Sequence, residues 1–447
     1  MRWLLYNVLF AIGFGLALPR YLLRMRKRGG YRPGFAQRFG RYAPETQRKL
    51  NERTRYWTHA VSVGEVQVAL RFMAEMRRAD PAAAFVLTVN TPTAWRIAER
   101  ALPVADVLLW FPLDFPFVTR RVLRQFGALR ALILTEKELW PNLIRACASR
   151  NVPVFLINAR MSERSAAGYR KLRGFFAPVL RRLDLVLAQS EADRRRLIGI
   201  GADPDRVAVA GSAKYDAANE PPPDFGPARA LLARAGHAAD TILFLGGSTW
   251  PGEETALCDI YRAVRDRHPR LRLVLVPRHA ERRAEVARAL AETGLRPVLR
   301  SRLDTDVPLA ASESATHDDV LIVDSTGELD ALYACADIVF VGKSLGRQRG
   351  GQNVIEPARF GKPIVTGPHM ENFEEIMAEF RAADAIAVAA DADRLRDRIE
   401  NWLADESARL AQGQRARAVV EARRGAMRQS VARIMERLRS PGPATPT

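Results

Sequence analysis

From Arg55 onward, short runs of β-branched and apolar residues alternate with stretches whose apolar positions recur at helical spacing. The runs are Tyr56–Val63, Ala84–Val89, Val107–Phe111, Ala131–Leu134, Val154–Ile157, Leu185–Ala188 and Val207–Ala210. Continuous apolar runs of this length between amphipathic segments predict the strands of a parallel sheet wrapped by helices. The rhythm breaks at Asp216–Ala230, where Glu220-Pro221-Pro222-Pro223-Asp224-Phe225-Gly226-Pro227 can neither continue a helix nor donate to a sheet. A second series follows at Ile242–Leu245, Leu271–Val276, Val320–Val323, Ile338–Val341 and Pro363–Val365, before a long helical stretch to Arg439. The pattern predicts an α/β chain of two doubly wound Rossmann-like lobes, 51–216 and 231–439, joined by a linker at 217–230 and ending in a disordered tail at 440–447. No period of 20–50 residues repeats, which excludes solenoids and propellers.

Residues 1–50 stand outside this rhythm. Trp3–Leu18 is apolar except for Asn7. After Pro19 come Arg20, Arg24, Arg26, Lys27, Arg28, Arg32, Arg38 and Arg41, with no acidic residue before Glu45. As a helix the run reaches about 24 Å, short of the ~30 Å hydrocarbon core, so an N-terminal membrane anchor is expected rather than a clean crossing. The cationic belt behind it favours anionic headgroups and places the rest of the chain on the cytoplasmic face of the inner membrane. It also opposes a cleaved export signal.

Composition narrows the choice. With 48% hydrophobic and 27% charged residues the chain is neither disordered nor polytopic. Its net charge of +19 favours an anionic partner: nucleic acid, a phospholipid surface or a phosphorylated substrate. Three scattered cysteines, Cys147, Cys258 and Cys335, make no disulfide framework and no zinc site, and each sits in an apolar stretch as a buried thiol would.

Doubly wound sheets bind ligands beyond the carboxyl ends of their strands, and the chemistry-bearing residues fall there. Ser62-Val63-Gly64-Glu65 follows the first run, and Glu65 is either a general base or an ordinary acidic residue in a helix's first turn. Thr135-Glu136-Lys137-Glu138-Leu139-Trp140-Pro141-Asn142 follows the fourth, with the same two readings for its glutamates. Asn158–Ser165, continuing through Arg170, Lys171, Arg173, Arg181 and Arg182, is either a solvated helix face or a site for a phosphorylated acceptor.

In the second series Gly246-Gly247-Ser248-Thr249, before Glu253-Glu254, offers the open N–H groups of a helix start to phosphate, as does Asp324-Ser325-Thr326-Gly327-Glu328-Leu329. Pro277-Arg278-His279 ends a run between them. Gly350-Gly351-Gln352-Asn353-Val354-Ile355-Glu356-Pro357 combines backbone amides for phosphate with a carboxylate for a ribose diol, a nucleotide-sugar site in outline. No P-loop spacing occurs. Asp304-Thr305-Asp306 lies in a polar stretch far from any strand end and is set aside as a metal motif, and His59, inside the first run, reads as a core residue.

Together these blocks resemble the 3-deoxy-D-manno-octulosonic acid (Kdo) transferases, membrane-anchored GT-B glycosyltransferases that add Kdo from CMP-Kdo to the lipid A precursor. The resemblance runs from His59 to about Ile376. It rests on His59-Ala60-Val61-Ser62-Val63-Gly64-Glu65, Glu136–Asn142, Asn158-Ala159-Arg160, Gly211-Ser212-Ala213-Lys214, Pro277-Arg278-His279, Gly327-Glu328-Leu329 and Gly367-Pro368-His369. It implies a GT-B fold, Glu65 as catalytic base, and Glu136 and Lys214 as transition-state stabilisers. It further implies a CMP site at Pro277, Arg278, Thr326, Gly327, Glu328, Asn353, Val354, Ile355 and Glu356. The cationic stretch then offers Arg160, Arg164, Arg170 and Lys171 to the phosphorylated lipid acceptor, and no metal or nucleic acid is expected. The chain departs from the family at Lys137, where Thr is usual, at Lys343 in place of Gly, and at Gln352 in place of His. The alternatives are another GT-B enzyme or sugar-nucleotide epimerase, and a basic nucleic-acid-binding protein. The last predicts interleaved aromatic and basic residues that the sequence lacks.

Overall fold

A computed structural model describes residues 2–28, 34–216, 223–303, 316 and 318–439. Arg32, part of the expected linker (217–222), the Asp304-Thr305-Asp306 segment and the tail at 440–447 lie outside the described residues. The chain forms two compact units, residues 1–216 with 425–447, and residues 217–424.

The first unit holds a seven-stranded parallel sheet ordered β3-β2-β1-β4-β5-β6-β7. Its strands are β1 (Arg55–Ala60), β2 (Ala84–Val89), β3 (Val107–Trp110), β4 (Leu129–Thr135), β5 (Val154–Ala159), β6 (Leu185–Ala188) and β7 (Val207–Val209). Every residue of β1, β2 and β5 is buried, because helices cover both faces of the sheet; this is why the runs are continuous rather than alternating. Val61–Val63 is not strand: Ser62 caps the helix Val63–Ala79. His59 is a core residue, stacked 3.6 Å from Phe111, with Nδ1 3.0 Å from the Thr88 carbonyl, and burial holds its pKa down to about 3. Cys147 and Cys258 are buried free thiols, whereas Cys335 is half-buried.

The second unit repeats the architecture with order β10-β11-β9-β8-β12-β13-β14, again parallel throughout. Here β8 is Ile242–Thr249, β9 Leu271–Pro277, β10 Arg296–Leu299, β11 Asp319–Ile322, β12 Ile338–Val341, β13 Ile364–Thr366 and β14 Ala387–Val388. In each sheet the chain reverses direction of growth at one adjacent pair, β1 with β4 and β8 with β12, which are separated in sequence by the strands on the far side; in the second sheet β9 and β11 are also neighbours, with β10 beyond them at the edge. Such a reversal opens a crevice at the strands' carboxyl ends.

Two expectations change. The C-terminal helix Ala426–Arg439 does not belong to the second lobe. It returns to the first, burying Met427, Val431 and Ile434 with Phe72 and Met76 of the helix Val63–Ala79. Asp216 fixes the return: its buried carboxylate accepts the N–H groups of Gly425 (2.6 Å), Ala426 (3.1 Å) and Met427 (2.7 Å) at that helix's start.

The expected N-terminal membrane anchor is also not supported. The apolar run lies within the helix Arg2–Arg28, yet among the described residues no helix is long and apolar enough to cross a membrane. Its aromatic face packs on the first unit instead: Trp3 and Tyr6 against Phe175, and Phe10 and Phe14 against Phe115. The Tyr6 hydroxyl donates to Asp114 (2.8 Å), which also accepts the Asn142 and Leu143 amides; burial pushes this carboxyl up to about 7 against those bonds. Leu4, Leu5, Val8, Leu9, Ile12 and Leu16 form the opposite, exposed face.

Candidate active site

Glu65 sits in the first turn of the helix that follows β1. Its Oε2 accepts the Val61 amide (2.9 Å) and lies 3.1 Å from the Thr135 hydroxyl, while Oε1 is 3.1 Å from the Ser62 hydroxyl. Ser62 in turn accepts the Glu65 amide at 3.3 Å, a reciprocal cap. Both readings of Glu65 are therefore built into one position. It caps the helix, and it stands at the carboxyl end of β1 beside the end of β4. A carboxylate has about four acceptor sites, and three donors here leave one to take a proton.

Glu136 follows β4 in a left-handed conformation (φ 54°), which a non-glycine residue adopts at a cost. Its Oε2 accepts Arg160 Nε at 2.7 Å, joining the end of β4 to the end of β5. Asn158, also left-handed (φ 51°), accepts the Ala213 amide on its side chain (3.0 Å) and so fixes the loop carrying Lys214 beside β5. The structure thus gathers Glu65, Glu136, Arg160 and the Lys214 loop around the carboxyl ends of the sheet. Glu138 joins them. It accepts Trp140 Nε1 at 3.1 Å, and burial, followed by the nearby Glu65 and Glu136 carboxylates, pushes it up to about 7 against the Trp140 bond and Lys137. Spacing alone did not separate it from Glu136.

The other cations expected at the acceptor are placed differently. Arg170 pairs with Glu163 (2.7 Å), which Arg196 also reaches (3.1 Å), on an exposed stretch of the surface. Arg164 and Lys171 are exposed on the same helix, Glu163–Lys171.

In the second unit Pro277 ends β9, and Arg278 is exposed just beyond it, its backbone held to Thr249 (3.0 Å). Asn353 accepts the Ile355 amide and donates to Glu356 Oε1 (both 3.1 Å) at the start of a four-residue helix, Ile355–Ala358. Val354 and Ile355 are buried beneath that turn. Burial, with the nearby Asp330 carboxylate, raises the Glu356 pKa, opposed by the Asn353 bond and then by Arg359 and Arg278. The preceding Gly351 (φ 69°) has no room for a side chain, since a Cβ would meet Met370 at 2.3 Å. Thr326 and Gly327 (φ 93°) form the turn into Glu328, whose carboxylate is committed to Arg300 (2.7–3.0 Å) and Ser325 (2.6 Å). These bonds outweigh burial and hold its pKa below the usual range.

Gly246–Thr249 does not form the expected phosphate cradle. It is the end of β8, where a Cβ on Gly247 would meet the Tyr333 hydroxyl at 2.4 Å. The helix begins only at Glu253, whose own buried carboxylate accepts the amides of Trp250, Lys343, Ser344 and Leu345 (2.8–3.0 Å). Lys343, left-handed at φ 58°, extends its ammonium 4.7 Å from the Trp250 ring centroid, and Trp250 also packs edge-on against His279.

Residues 33–217 match the family described as 3-deoxy-D-manno-octulosonic-acid transferase (kdotransferase), and residues 311–419 match glycosyl transferases group 1. A 3-deoxy-D-manno-octulosonic acid transferase of Bordetella pertussis is 35% identical over 418 residues, covering 91% of this chain and 93% of its own. The Haemophilus influenzae protein of the same name is 31% identical over 402 residues, 89% of this chain and 90% of its own. The crystal structure of UDP-GlcNAc 2-epimerase from Neisseria meningitidis superposes with a TM-score of 0.57 over 86% of this chain and 99% of that one. At 12% identity this is a likeness of fold alone, of the GT-B type with two parallel sheets.

Proposed function

Because the chain belongs to the Kdo transferases, glycosyltransferases of lipopolysaccharide biosynthesis, we propose that it transfers Kdo from CMP-Kdo to a hydroxyl of the phosphorylated lipid A precursor, lipid IVA, and releases CMP. The reading is supported most by Glu65, a buried carboxylate at the carboxyl end of β1 with one acceptor site open beside Glu136 and Arg160. In this mechanism the acceptor oxygen attacks the anomeric carbon of Kdo while Glu65 takes its proton. The bond from that carbon to the phosphate oxygen breaks, and the electron pair leaves with CMP. Glu136 and Lys214 stabilise the transition state. Arg278 meets the phosphate of CMP, and Glu356, oriented by Asn353, meets the ribose; Pro277, the Thr326–Glu328 turn, Val354 and Ile355 shape the surrounding wall. Protein cations supply the positive charge, so the reading requires no metal ion.

The acceptor is an amphiphile, and the exposed leucine face of the helix Arg2–Arg28 suits it. A helix with one apolar face free and the other packed on the protein suits a bilayer surface, here the cytoplasmic face of the inner membrane. The deciding experiment incubates the protein in membranes with CMP-Kdo and lipid A precursor and weighs the product lipid. A mass gain of one or more Kdo units is expected. An unchanged lipid, with the protein folded and the donor intact, refutes the reading.

A further inference from the structure

The first unit carries a second cationic feature that the transfer chemistry does not use. A cavity of about 570 Å³ opens between the end of the helix Arg173–Leu180 and the turn before β7, lined by Arg181, Arg182 and Arg206 with the single acid Asp203. Asp203 lies 3.5 Å from Arg206, which leaves the other two guanidiniums uncompensated. Arg182 also approaches Trp3 of the N-terminal helix, at 5.7 Å from the ring centroid, and Arg145 approaches the same ring at 5.1 Å. Among the described residues no carboxylate lies within 4 Å of Arg145, Arg181 or Arg182. Arg182 is partly buried and feels the Arg145 charge, and both effects disfavour its protonated form. Arg182 is half-buried and donates to the Pro178 carbonyl (2.6 Å), while Arg145 and Arg181 are exposed beside it, so the three guanidiniums form a cationic mouth that an anion from outside the chain can enter.

The position says which anion. Arg181 and Arg182 precede β6, and Asp203 and Arg206 precede β7, so the cavity lies at the amino end of a parallel sheet whose carboxyl end carries Glu65 and Glu136. It is therefore not the seat of the reacting hydroxyl. Through Arg182 and Trp3 it is continuous with the first turn of the helix that exposes Leu4, Leu5, Val8 and Leu9. Tryptophan and arginine beside a free apolar face are the arrangement found at headgroup level in a bilayer.

We propose that this cavity binds the phosphate of an anionic phospholipid headgroup when the leucine face of the N-terminal helix lies on the membrane. The inference rests on the membrane-surface reading above and makes the docking specific in place as well as in charge. Its test is partition of the full chain onto vesicles of phosphatidylcholine, with and without phosphatidylglycerol. At a surface charge each guanidinium contributes roughly fivefold to partition, so Arg181→Ala/Arg182→Ala is expected to weaken binding to the anionic vesicles about 25-fold. Binding to neutral vesicles is expected to be unchanged. A control with the same net charge, Arg394→Ala/Arg396→Ala, removes two arginines of the other unit and is expected to bind like the parent. Three results overturn the proposal: parent-like binding by the cavity variant, an equal loss in the control, or an equal loss on neutral vesicles. Transfer to dispersed acceptor reads the Kdo chemistry separately, so the failure of one conclusion is not mistaken for failure of the other.

Discussion

Glu65→Gln separates the two roles that one position carries. The substitution keeps the length and shape of the side chain. Its carbonyl oxygen can still accept the Val61 amide now at 2.9 Å, and the Ser62 hydroxyl can rotate to accept from the new NH₂. What weakens is the charge in two or three hydrogen bonds and its interaction with the helix start, so the structural cost is held to about 1 kcal/mol. Loss of charge beside Glu138, which Glu65 pushes upward, offsets part of even that. Proton acceptance, by contrast, is gone, and general-base catalysis is worth about 10²–10⁴ in rate. The expected result is a melting temperature within a few degrees of the parent, unchanged CMP affinity and Kdo transfer lower by that factor, measured by mass spectrometry of the product lipid. Near-parent transfer by the folded variant would refute the base assignment and move attention to Glu138.

Four further outcomes follow from the geometry. Arg278→Ala is expected to lower CMP affinity about ten- to hundredfold by calorimetry, the loss of charge-assisted bonds worth ~1.5–3 kcal/mol; unchanged affinity rejects the assignment. Asp216→Ala strands three buried amides at the start of the C-terminal helix, and a loss of at least about 2 kcal/mol in denaturant unfolding is expected, with early proteolysis near Gly425. Glu138 has a folded pKa raised to about 7, so the native state holds its proton longer than the unfolded chain and stability falls as pH rises from about 4.5 to 7. Glu138→Gln is therefore expected to stabilise the protein by about 1–2 kcal/mol at pH 8, after allowance for its partial exposure, and by nearly nothing at pH 4. Lys343→Gly relieves a left-handed residue, worth about 1 kcal/mol, and removes a cation from the Trp250 face, worth about 0.5–1 kcal/mol. The two nearly cancel, and a fall of more than several degrees in melting temperature contradicts that balance.

The strands were legible because a parallel sheet covered on both faces writes itself as unbroken apolar runs. The two that sequence reasoning missed lack that signature. β10 is the edge strand Arg296–Leu299, with no fully buried residue, and β14 has two residues. The ends of elements failed where side chains rather than periodicity decide: Ser62 turns Val63 into helix, and Tyr333 packs so closely on Gly247 that the glycine pair belongs to the strand. The return of the C-terminal helix was illegible because it depends on Asp216 meeting Gly425 across 209 residues. In the candidate site, the residue types at strand ends were readable, but their partners were not. Arg160 and Arg170 look alike in a cationic stretch, and only the fold gives one to Glu136 and the other to Glu163.

Glu65 and Glu253 show what separates a structural glutamate from a chemically available one. Both follow a strand at its sheet's reversal point, both stand in the first turn of a helix, and both are almost wholly buried. By sequence the two positions are interchangeable. Glu253 accepts two amides on each oxygen, from Trp250 and Lys343 on one and Ser344 and Leu345 on the other. Its four acceptor sites are filled by backbone donors that cannot turn away, so it holds the 343–345 loop, and protonating it means breaking one of those bonds. Glu65 accepts one backbone amide, and its other two donors are hydroxyls that can rotate away. The Thr135 hydroxyl already has an alternative acceptor in the His59 carbonyl at 2.9 Å. A proton arriving at Glu65 therefore finds an open acceptor site flanked by hydroxyls that can turn away, whereas one arriving at Glu253 must break a backbone bond that holds a loop. Availability for chemistry lies in how exchangeable the donors are, a property that appears only once the strands have brought them together.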